Sequence, residues 1–597
     1  MPNPLARARA AFWTRVNRNR NWWELPKRLA LLNLRTYRDE LREYNLYDTR
    51  AAAQNGERSP TALEDLPRYR TYDGSRQDPV DPEMGMVGSR FGRNAPAEAT
   101  APEQMPRLMK PSPRTVSQRL LTRDTFKPAT TLNVLAACWI QFENHDWLGH
   151  GENSPDKFFD VPLDQDDDWP DDPMRVRRTS KDRTRTWRSG LPPTYINTVT
   201  HWWDGSQIYG SSEERNRELR TGEGGKLAMD DGRLPNERDR KLDGVDLTGF
   251  SDNYWIGLSL LHTLFVKEHN AICDYLRGSY PTWDDERLFL TARLVNSALM
   301  AKIHTVEWTP GILANPVLET AMNANWYGML PRWASRMLGG RSLGEALTGI
   351  VGSSQDHHAA AYSITEEFVS VYRLHPLLPD DYEIRDHRNG ELIEETDFDP
   401  VQGHGTRPST EKWGMANLLY SFGIANPGAI TLHNHPRALN GHVRLNGDRV
   451  DLGTIDILRD RERGVRRYNE FREALRKPRI ERFEDLTENR DWAEEIREVY
   501  DGNIDAVDLQ VGLLAEPLPP GFGFSDTAFR IFILMASRRL KSDRFFTDDY
   551  SPDVYTPEGL DWVERNGMLD VLRRHHPELA PALEGVQNAF APWRRLS

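Results

Sequence analysis

The sequence predicts a mostly α-helical protein with long connections and little β-structure. Apolar residues recur at helical spacing after residue 128, strand patterns are sparse, and prolines stand where helical patterns end, as in HTVEWTPG and RLHPLLPD. The predicted helices are 129–149, 252–280, 283–305, 315–338, 362–374, 411–425, 465–477, 490–500 and 524–541. One hairpin is predicted at 443–452, VRLNGDRVDL, because the central Asn-Gly favours a tight turn.

The chain is predicted to form one large domain preceded by an arm. Its 597 residues would permit two or more domains, but 38% apolar content with 18 Trp and 21 Phe can fill one sizeable core. Residues 1–50 are predicted as a helical arm. Residues 51–127 are mostly Pro-, Gly- and Arg-rich without a sustained period, which is typical of loops that wrap a core. Residues 128–597 form the predicted helical domain.

The charge balance excludes a global nucleic-acid binder. There are 77 basic against 90 acidic residues, a formal net charge of −13. The basic run at 175–188 is a local exception, but it follows an acidic run at 164–173. We expect the two runs to neutralise each other in a solvated loop.

Cysteine usage and hydropathy favour a cytoplasmic protein. Cys138 and Cys273 both lie in apolar helical text, which indicates buried thiols in a reducing compartment and no disulfide framework. The opening MPNPLARARAAFW lacks the apolar segment of a signal peptide, and no run approaches the ~20 apolar residues of a membrane span.

One segment of the arm has two interpretations. WWELPKRLALLNLRTY, residues 22–37, combines a Trp pair, Leu at helical spacing and basic residues. Such a helix most often packs on its own domain. The alternative is a peripheral contact with a membrane surface.

A Gln–His pair marks the first candidate site. Gln141 and His145 are four residues apart on an apolar helix, so they share one face. The pair is either a satisfied core pair or the lining of a cavity that handles peroxide or oxygen. His150 is a rival, but it stands between Gly149 and Gly151, where the helix is expected to end.

A Tyr–His pair marks the second candidate site. Tyr372 and His375 in VYRLHPLLPD are three apart, about 4.5 Å along a helix axis, and Ser363 or Thr365 is expected to cap this helix. A histidine that ligates haem iron would hold Tyr372 beside the macrocycle. An oxidised haem could then take an electron and a proton from the phenol and leave a tyrosyl radical.

Taken together, these segments resemble the peroxidase–cyclooxygenase superfamily of haem enzymes. Gln141-x-x-x-His145 is similar to its distal helix, LLHTLFVKEHNAICD (260–274) to its Glu-His-Asn helix, and YRLHPLLPD to its proximal helix. The similarity runs from about residue 20 to about 565. Fatty-acid α-dioxygenases fit best, on HDW after the distal Gln, WWDGSQIYGS, YR-x-H and the Ser-Arg-Arg-Leu helix.

The resemblance implies one large peroxidase- and cyclooxygenase-like domain that binds haem. His375 would be the proximal ligand, Tyr372 the radical site, and Gln141 with His145 the distal site. In the family the radical takes a hydrogen from the α-carbon of a fatty acid, and O2 adds there. The resulting 2-hydroperoxy acid can lose carbon dioxide to leave an aldehyde one carbon shorter. Hydrogen peroxide is the expected activator.

The resemblance also implies a carboxylate anchor. His304 and Thr309 in AKIHTVEWTP and an arginine in ASRRL would hold the substrate head group beside Tyr372. An arginine fork suits a carboxylate because it donates two charge-assisted hydrogen bonds. Both Arg538 and Arg539 are candidates, and surface ion pairing is the alternative role for each. The preceding FRIFILMA run indicates a buried helix.

A calcium site is implied next to the distal histidine. Thr200, Trp202, Asp204 and Ser206 in THWWDGS, with Asp146, match the family's ligands and offer hard oxygens. The alternative for THWWDGS is an ordinary Asp-Gly turn. The acidic run at 164–172 lacks the glycine and closing glutamate of an EF-hand loop.

Several departures argue against prostaglandin-type chemistry. Asn144 stands where secreted mammalian peroxidases esterify haem through an aspartate, so non-covalent haem b is expected. Arg373 and Leu374 replace the His-Trp of cyclooxygenases. Asn434 in TLHNHP is expected to hydrogen-bond the ring of His375.

Two other functions are kept as alternatives. The first is a haem peroxidase that oxidises small donors with hydrogen peroxide, with Tyr372 incidental. The second is a non-enzymatic lipid-binding scaffold. No obligate protein partner is evident in the sequence.

Overall fold

A computed structural model describes residues 9, 11–13, 15–17, 20–49, 66–183, 190–330 and 345–596. Parts of the predicted arm, residues 51–65 of the wrapping segment, residues 184–188 of the basic run and residues 331–338 of a predicted helix lie outside these ranges. Helices dominate the described residues, which confirms the predicted fold class.

The helices of six or more residues follow in chain order. They are α1 (Lys27–Tyr44), α2 (Val134–Trp147), α3 (Glu213–Leu219), α4 (Ile256–Ser279), α5 (Asp285–Ile303), α6 (Pro316–Tyr327), α7 (Glu366–Val371), α8 (Thr406–Trp413), α9 (Met415–Ile424), α10 (Leu452–Glu462), α11 (Tyr468–Ala474), α12 (Arg490–Val499), α13 (Leu509–Ala515), α14 (Asp526–Ser542), α15 (Pro557–Arg565) and α16 (Met568–His575). Two π-helical turns, Ser117–Leu121 and His304–Trp308, interrupt the α-helical pattern.

Three two-stranded antiparallel hairpins account for the named strands of the described residues. They are β1 (Phe158–Val161) with β2 (Met174–Arg177), β3 (Asp381–Arg385) with β4 (Leu392–Asp397), and β5 (His442–Val443) with β6 (Arg449–Val450). The last confirms the hairpin predicted at the Asn-Gly sequence. The β3–β4 hairpin was missed, although Asn389-Gly390 lies between its strands and Gly390 has a φ of 73°.

Glycines with positive φ end two predicted helices early. Gly414 (φ 76°) divides the predicted helix 411–425 between α8 and α9, and Gly328 (φ 76°) follows the end of α6. The predicted helix 362–374 is also too long, since α7 ends at Val371.

One hydrophobic cluster spans the molecule from Trp22 to Trp593 and draws on all three predicted segments. The arm is part of this core, because Trp22 is buried and its Nε1 donates to Asp526 Oδ1 at 2.9 Å. The interpretation that 22–37 packs on its own domain is therefore confirmed for its inner face. The boundaries at 50 and 127 remain a prediction.

The acidic and basic runs do not simply neutralise each other. Asp167 is buried and accepts from Arg114 Nε at 3.0 Å, and Arg114 also pairs with Asp451 at 3.0 Å. The expectation of a fully solvated loop is wrong at this position, because Arg114 comes from a different part of the chain. Cys138 and Cys273 are buried free thiols, as predicted.

Candidate active site

The distal pair lies on α2. His145 is buried, its ring meets Phe250 edge-on at 4.9 Å, and within the described residues its Nδ1 has no hydrogen-bond partner. Burial lowers the pKa of His145 to about 4, so its ring is neutral. Gln141 Oε1 accepts from Trp255 Nε1 at 2.7 Å. A neutral histidine with a free nitrogen can accept or relay a proton.

His150 is engaged elsewhere. Its Nε2 lies 3.1 Å from both carboxylate oxygens of Glu366, and its ring stacks on Phe91 at 4.3 Å. Glu366 belongs to the first turn of α7, and Thr365 caps that helix by accepting from Phe368 N at 3.2 Å. His150 therefore connects the chain beyond α2 with the helix that leads to Tyr372.

Tyr372 and His375 do not share a helix, which corrects the prediction. α7 ends at Val371, Tyr372 caps it with ψ near 10°, and His375 opens a separate 3₁₀ turn, His375–Leu377. Pro376 at the second position of that turn explains the break, since proline restricts the residue before it. Both residues still lie at the C-terminal end of α7, three positions apart in the sequence.

The ring of His375 bonds to Asp456. Its Nδ1 donates to Asp456 Oδ2 at 2.6 Å, which leaves Nε2 for a ligand. Burial alone would raise the pKa of Asp456, but His375, His435 and Arg373 hold that pKa below its usual range. Within the described ranges, the one group of His, Cys and acidic ligand atoms close enough to hold a metal is His375, His435 and Asp456.

Asn434 does not bond to His375, so that prediction is wrong. Its Nδ2 donates to the carbonyls of Lys127 at 2.8 Å and Ala429 at 2.7 Å, and its Oδ1 accepts from Lys127 N at 3.0 Å. Asn434 thus bridges two loops, and Asp456 on α10 takes the place expected for it.

Tyr372 has a buried, free hydroxyl. No described residue bonds to its OH, and its ring packs 4.3 Å from Phe368 and 5.8 Å from Trp147. Burial raises the pKa of Tyr372 far above its ordinary value. The phenol is therefore neutral and unengaged, as a hydrogen-atom donor should be.

Arg539 packs on the ring of Trp147, which also contacts Tyr372. Its guanidinium carbon is 3.7 Å from the Trp147 ring and 4.4 Å from the Trp203 ring. The side chain is almost completely buried, and neither Nε nor Nη2 has a hydrogen-bond partner in the described part of the chain. A buried cation without a carboxylate is costly, and an incoming anion would relieve that cost.

Arg538 has a different environment. Its Nη2 donates to the carbonyls of Ala360 at 2.7 Å and Ala361 at 2.8 Å, and its guanidinium lies over the Tyr362 ring. Arg538 therefore holds the segment before α7, whereas Arg539 packs on Trp147, the ring that also contacts Tyr372.

His304 begins the π-helical turn His304–Trp308, and Thr309 follows it. Trp139 Nε1 donates to His304 Nδ1 at 3.2 Å, so the proton of the neutral ring is on Nε2. The ring lies 5.3 Å from Trp147 and 5.2 Å from Trp203, the same two rings that enclose Arg539. Thr309 Oγ1 donates to the His304 carbonyl at 2.8 Å, a bond that the π-turn spacing permits.

Glu143 is a site residue that the sequence reasoning missed. Its Oε2 accepts from Trp203 Nε1 at 2.8 Å, and its Oε1 has no partner among the residues described. Burial, and then the charge of Asp146, raise the pKa of Glu143 well above its usual range. The available signal was its spacing: Glu143 and Trp147 are four apart on α2, on a different face from Gln141 and His145.

Some of the predicted calcium ligands are buried and contact one another. Asp146 Oδ1 accepts from Ser206 Oγ at 2.9 Å, and Asp204 Oδ1 accepts from Ser206 N at 3.2 Å. Asp146 Oδ2 and Thr200 Oγ1 have no partner in the described structure. Burial and Asp204 raise the pKa of Asp146 to about 8. Asp204 also pairs with Arg293, and Trp202 donates from its ring to Gly74 O.

The helical domain holds a neutral buried histidine, a histidine oriented by a carboxylate, a tyrosine with a free hydroxyl and a buried arginine. These groups agree with the resemblance to haem peroxidases. The chain matches the animal haem peroxidase family over residues 69–590, and it belongs to that family.

Within the family the chain belongs with the alpha-dioxygenases. It is 39% identical over 591 residues to a rice alpha-dioxygenase PIOX, covering 96% of this chain and 93% of the relative. It is 39% identical to Arabidopsis alpha-dioxygenase 2, covering 96% and 91%. The structure of a rice fatty acid alpha-dioxygenase with palmitic acid superposes with a TM-score of 0.91 at 36% identity, covering 99% of this chain and 97% of that one.

Proposed function

We propose that this protein is a haem-dependent fatty-acid α-dioxygenase. The observation that carries the proposal is that two groups contact the same Trp147 ring: Arg539, a buried cation without a carboxylate ion pair in the described structure, and Tyr372 with its free hydroxyl. A fatty-acid carboxylate on Arg539 would present its α-carbon, and not a distant methylene, to Tyr372. The rice relative was solved with palmitic acid, which supports a long-chain acid as substrate.

The residues present fit a haem. His375 is oriented by Asp456 through Nδ1 and offers Nε2 to iron, while His145 keeps an unpartnered Nδ1 on the distal helix. Asn144 has an amide where an ester link would need a carboxylate, so non-covalent binding is proposed. When bound, haem activated by hydrogen peroxide supplies the oxidising equivalent that removes an electron from the Tyr372 phenol.

The other steps belong to the chain's own residues. Arg539 and the Nε2–H of His304 bind the carboxylate, and the rings of Trp147 and Trp203 exclude water around it. Thr309 fixes the His304 turn through its bond to the His304 carbonyl. The Tyr372 radical takes a hydrogen atom from the α-carbon, and O2 adds to the carbon radical to give a 2-peroxyl radical. That radical takes a hydrogen atom back from the Tyr372 phenol, which gives the 2-hydroperoxy acid and restores the tyrosyl radical. Loss of carbon dioxide and water from the hydroperoxy acid leaves the shorter aldehyde.

We also propose that Asp146, Thr200, Trp202, Asp204 and Ser206 hold a calcium ion. Two unpartnered buried oxygens and a pair of buried carboxylates, one with a raised pKa, support a cation at this place. The ion would tie the end of α2 to the loop before Ser206.

The test is oxygen uptake with palmitate after reconstitution with haem, with mass spectrometry of the products. We expect a 2-hydroperoxy acid or the aldehyde one carbon shorter. Tyr372→Phe should abolish uptake while peroxidase activity and the Soret band remain. Tyr555→Phe is the matched control, because Tyr555 is equally buried and its OH donates to Phe545 O. Uptake that persists in Tyr372→Phe would refute the radical assignment.

Two outcomes would favour the alternatives. Haem binding with peroxidase activity but no oxygen uptake in the unaltered protein would indicate a peroxidase of small donors. A protein that acquires no Soret band when haem is added would indicate a lipid-binding scaffold.

A further inference from the structure

The N-terminal residues described form a helical hairpin. Residues 9, 11–13 and 15–16 are helical, and this short helix runs antiparallel to α1. Arg9 Nη2 donates to Asp39 Oδ2 at 2.8 Å, and the side-chain amides of Asn17 and Asn33 exchange two hydrogen bonds at 2.7 and 3.2 Å. We call the short helix and α1 the N-terminal hairpin.

The outer face of the N-terminal hairpin carries large apolar side chains in water. Phe12 is 59% exposed, Leu32 52% and Leu29 44%. On α1, residues 28, 29, 32 and 35 fall within a sector of about 120°, in which Arg28 and Arg35 lie at one edge, Leu32 lies next to them and Leu29 lies at the other edge. The opposite side of α1 is buried through Ala30, Leu34 and Leu41.

This face is basic in an acidic protein. Lys27, Arg28 and Arg35 are exposed on α1, and residues 1–36 contain eight Lys or Arg against one Glu. The whole chain has a net charge of −13. Farther along the same sector of α1 stand Asp39 and the exposed Glu43, so the basic character belongs to the first half of α1. Asp39 is engaged by Arg9 at 2.8 Å and lies 4.0 Å from Arg35. Exposed leucines flanked by cations are typical of helices that lie on an anionic lipid surface.

The inner side of the same hairpin leads to the active site. Trp22 packs 5.8 Å from Phe529, Phe529 lies 6.0 Å from Phe532, and Phe532 lies 6.4 Å from Tyr372. Phe529 and Phe532 belong to α14, the helix that also carries Arg539. An apolar ring path therefore connects the hairpin with the site that receives the fatty acid.

We propose that the outer face of the N-terminal hairpin docks on a bilayer that contains anionic phospholipids. The leucines and Phe12 enter the acyl boundary, and Lys27, Arg28 and Arg35 contact the head groups. The reason for such a surface rests on the proposed function, because a long-chain fatty acid partitions into bilayers. The binding itself does not depend on catalysis.

The experiment is sedimentation of the haem-loaded protein with vesicles of phosphatidylcholine, with and without phosphatidylglycerol. We expect binding to the anionic vesicles and little to the neutral ones. Arg28→Gln with Arg35→Gln should lower the partition coefficient roughly 30-fold, since each cation near an anionic surface contributes about 1 kcal/mol. Leu32→Glu should abolish binding.

Leu392→Glu is the matched control. Leu392 on β4 is 46% exposed, and no part of the hairpin lies on that strand, so its substitution should leave vesicle binding unchanged. Circular dichroism checks that each variant folds. The proposal is overturned if the protein binds neither type of vesicle, or if both hairpin variants bind the anionic vesicles as well as the unaltered protein does. If Leu32→Glu converts a dimer to a monomer and leaves vesicle binding unchanged, the face instead contacts a second copy of the chain. Oxygen uptake with dispersed palmitate reports separately on the proposed function.

Discussion

Two adjacent arginines on α14 have unrelated environments. Arg538 donates from Nη2 to two backbone carbonyls and leaves only Nε without a partner in the described residues. Arg539 lies against two indole rings, and no described residue engages its Nε or Nη2. A helix turns by about 100° per residue, so neighbours face different partners. The free arginine is therefore the one we assign to the substrate carboxylate.

Arg539→Gln should lower kcat/KM for palmitate by about 100-fold, mainly through KM, because a buried charge-assisted pair is lost. Arg538→Gln is the control. It should lower the free energy of unfolding by about 1–3 kcal/mol, through its lost carbonyl bonds, and leave kcat/KM of the folded protein intact. Steady-state oxygen uptake and urea denaturation measure the two effects. The reverse pattern would exchange the assignments.

Asp456→Asn should weaken haem binding by about 10–100-fold, because a carboxylate makes its histidine a better ligand. A Soret titration of the apoprotein measures the affinity. Asn434→Ala should change it much less, since Asn434 bonds only to backbone atoms of two loops. Equal losses in both variants would contradict the role of Asp456.

Glu143→Gln should make stability less sensitive to pH. The pKa of Glu143 is raised in the folded protein, so the folded state keeps a proton that the unfolded chain loses above its ordinary pKa. Stability from this group is therefore lost as pH rises toward the folded pKa. As pH rises, the free energy of unfolding of the variant should increase relative to that of the unaltered protein by up to about 1.4 kcal/mol per pH unit. Urea denaturation between about pH 5 and pH 7 tests this, with exposed Glu98→Gln as control. A difference that stays flat with pH would mean that Glu143 is ionised.

At the scale of elements, the ends of helices place the chemistry. α7 ends at Val371, so Tyr372 and His375 belong to different turns, and the π-turn His304–Trp308 places the Thr309 hydroxyl on the His304 carbonyl. α2 contributes three groups: Gln141 and His145 on one face, Glu143 and Trp147 on another, and Asp146 toward Ser206.

Chelation should loosen the end of α2. We expect EGTA treatment to lower the melting temperature and calcium to restore it, with a stabilisation of about 2.7 kcal/mol at a hundredfold excess over Kd. Asp146→Asn should remove the calcium response, and magnesium should not replace calcium. Differential scanning calorimetry measures the shift. An unaltered protein whose melting temperature ignores calcium would refute the site.

At the scale of the molecule, the arm belongs to the fold. Trp22, Leu34 and Leu41 are buried in the main hydrophobic cluster, and Arg42 Nη2 donates to Ser537 Oγ on α14. Among the described residues no helix is long and apolar enough to cross a membrane.

Deletion of residues 1–45 should therefore destabilise the whole protein, because each large buried side chain contributes about 2–5 kcal/mol. Deletion of residues 1–20 is the comparison: it removes the buried Trp13 but spares Trp22, Leu34 and Leu41, so it should lower the melting temperature less. Equal stability of the two truncated proteins would support an arm that is independent of the domain.

Local patterns were enough to predict the helical class, most helices of the second half, the Asn-Gly hairpin and the residue types of the site. Periodicity and turn chemistry act over a few residues, so they can be recognised in one dimension. They failed at Gly414, Gly328 and Val371. A helix ends at each of these places because of the positive φ of one residue or because of contacts with a neighbouring segment, and periodicity shows neither.

The partners of those residues depend on contacts between distant segments. Asp456 meets His375 from 81 positions away, Arg114 meets Asp167, and Trp203 reaches Glu143. The choice between Arg538 and Arg539 depends on which one finds carbonyls and which one finds indole rings. The sequence thus specified the chemical groups and their local spacing. Close packing of separate segments determined which group pairs with which, because most buried polar atoms bond to whatever partner the fold brings to them.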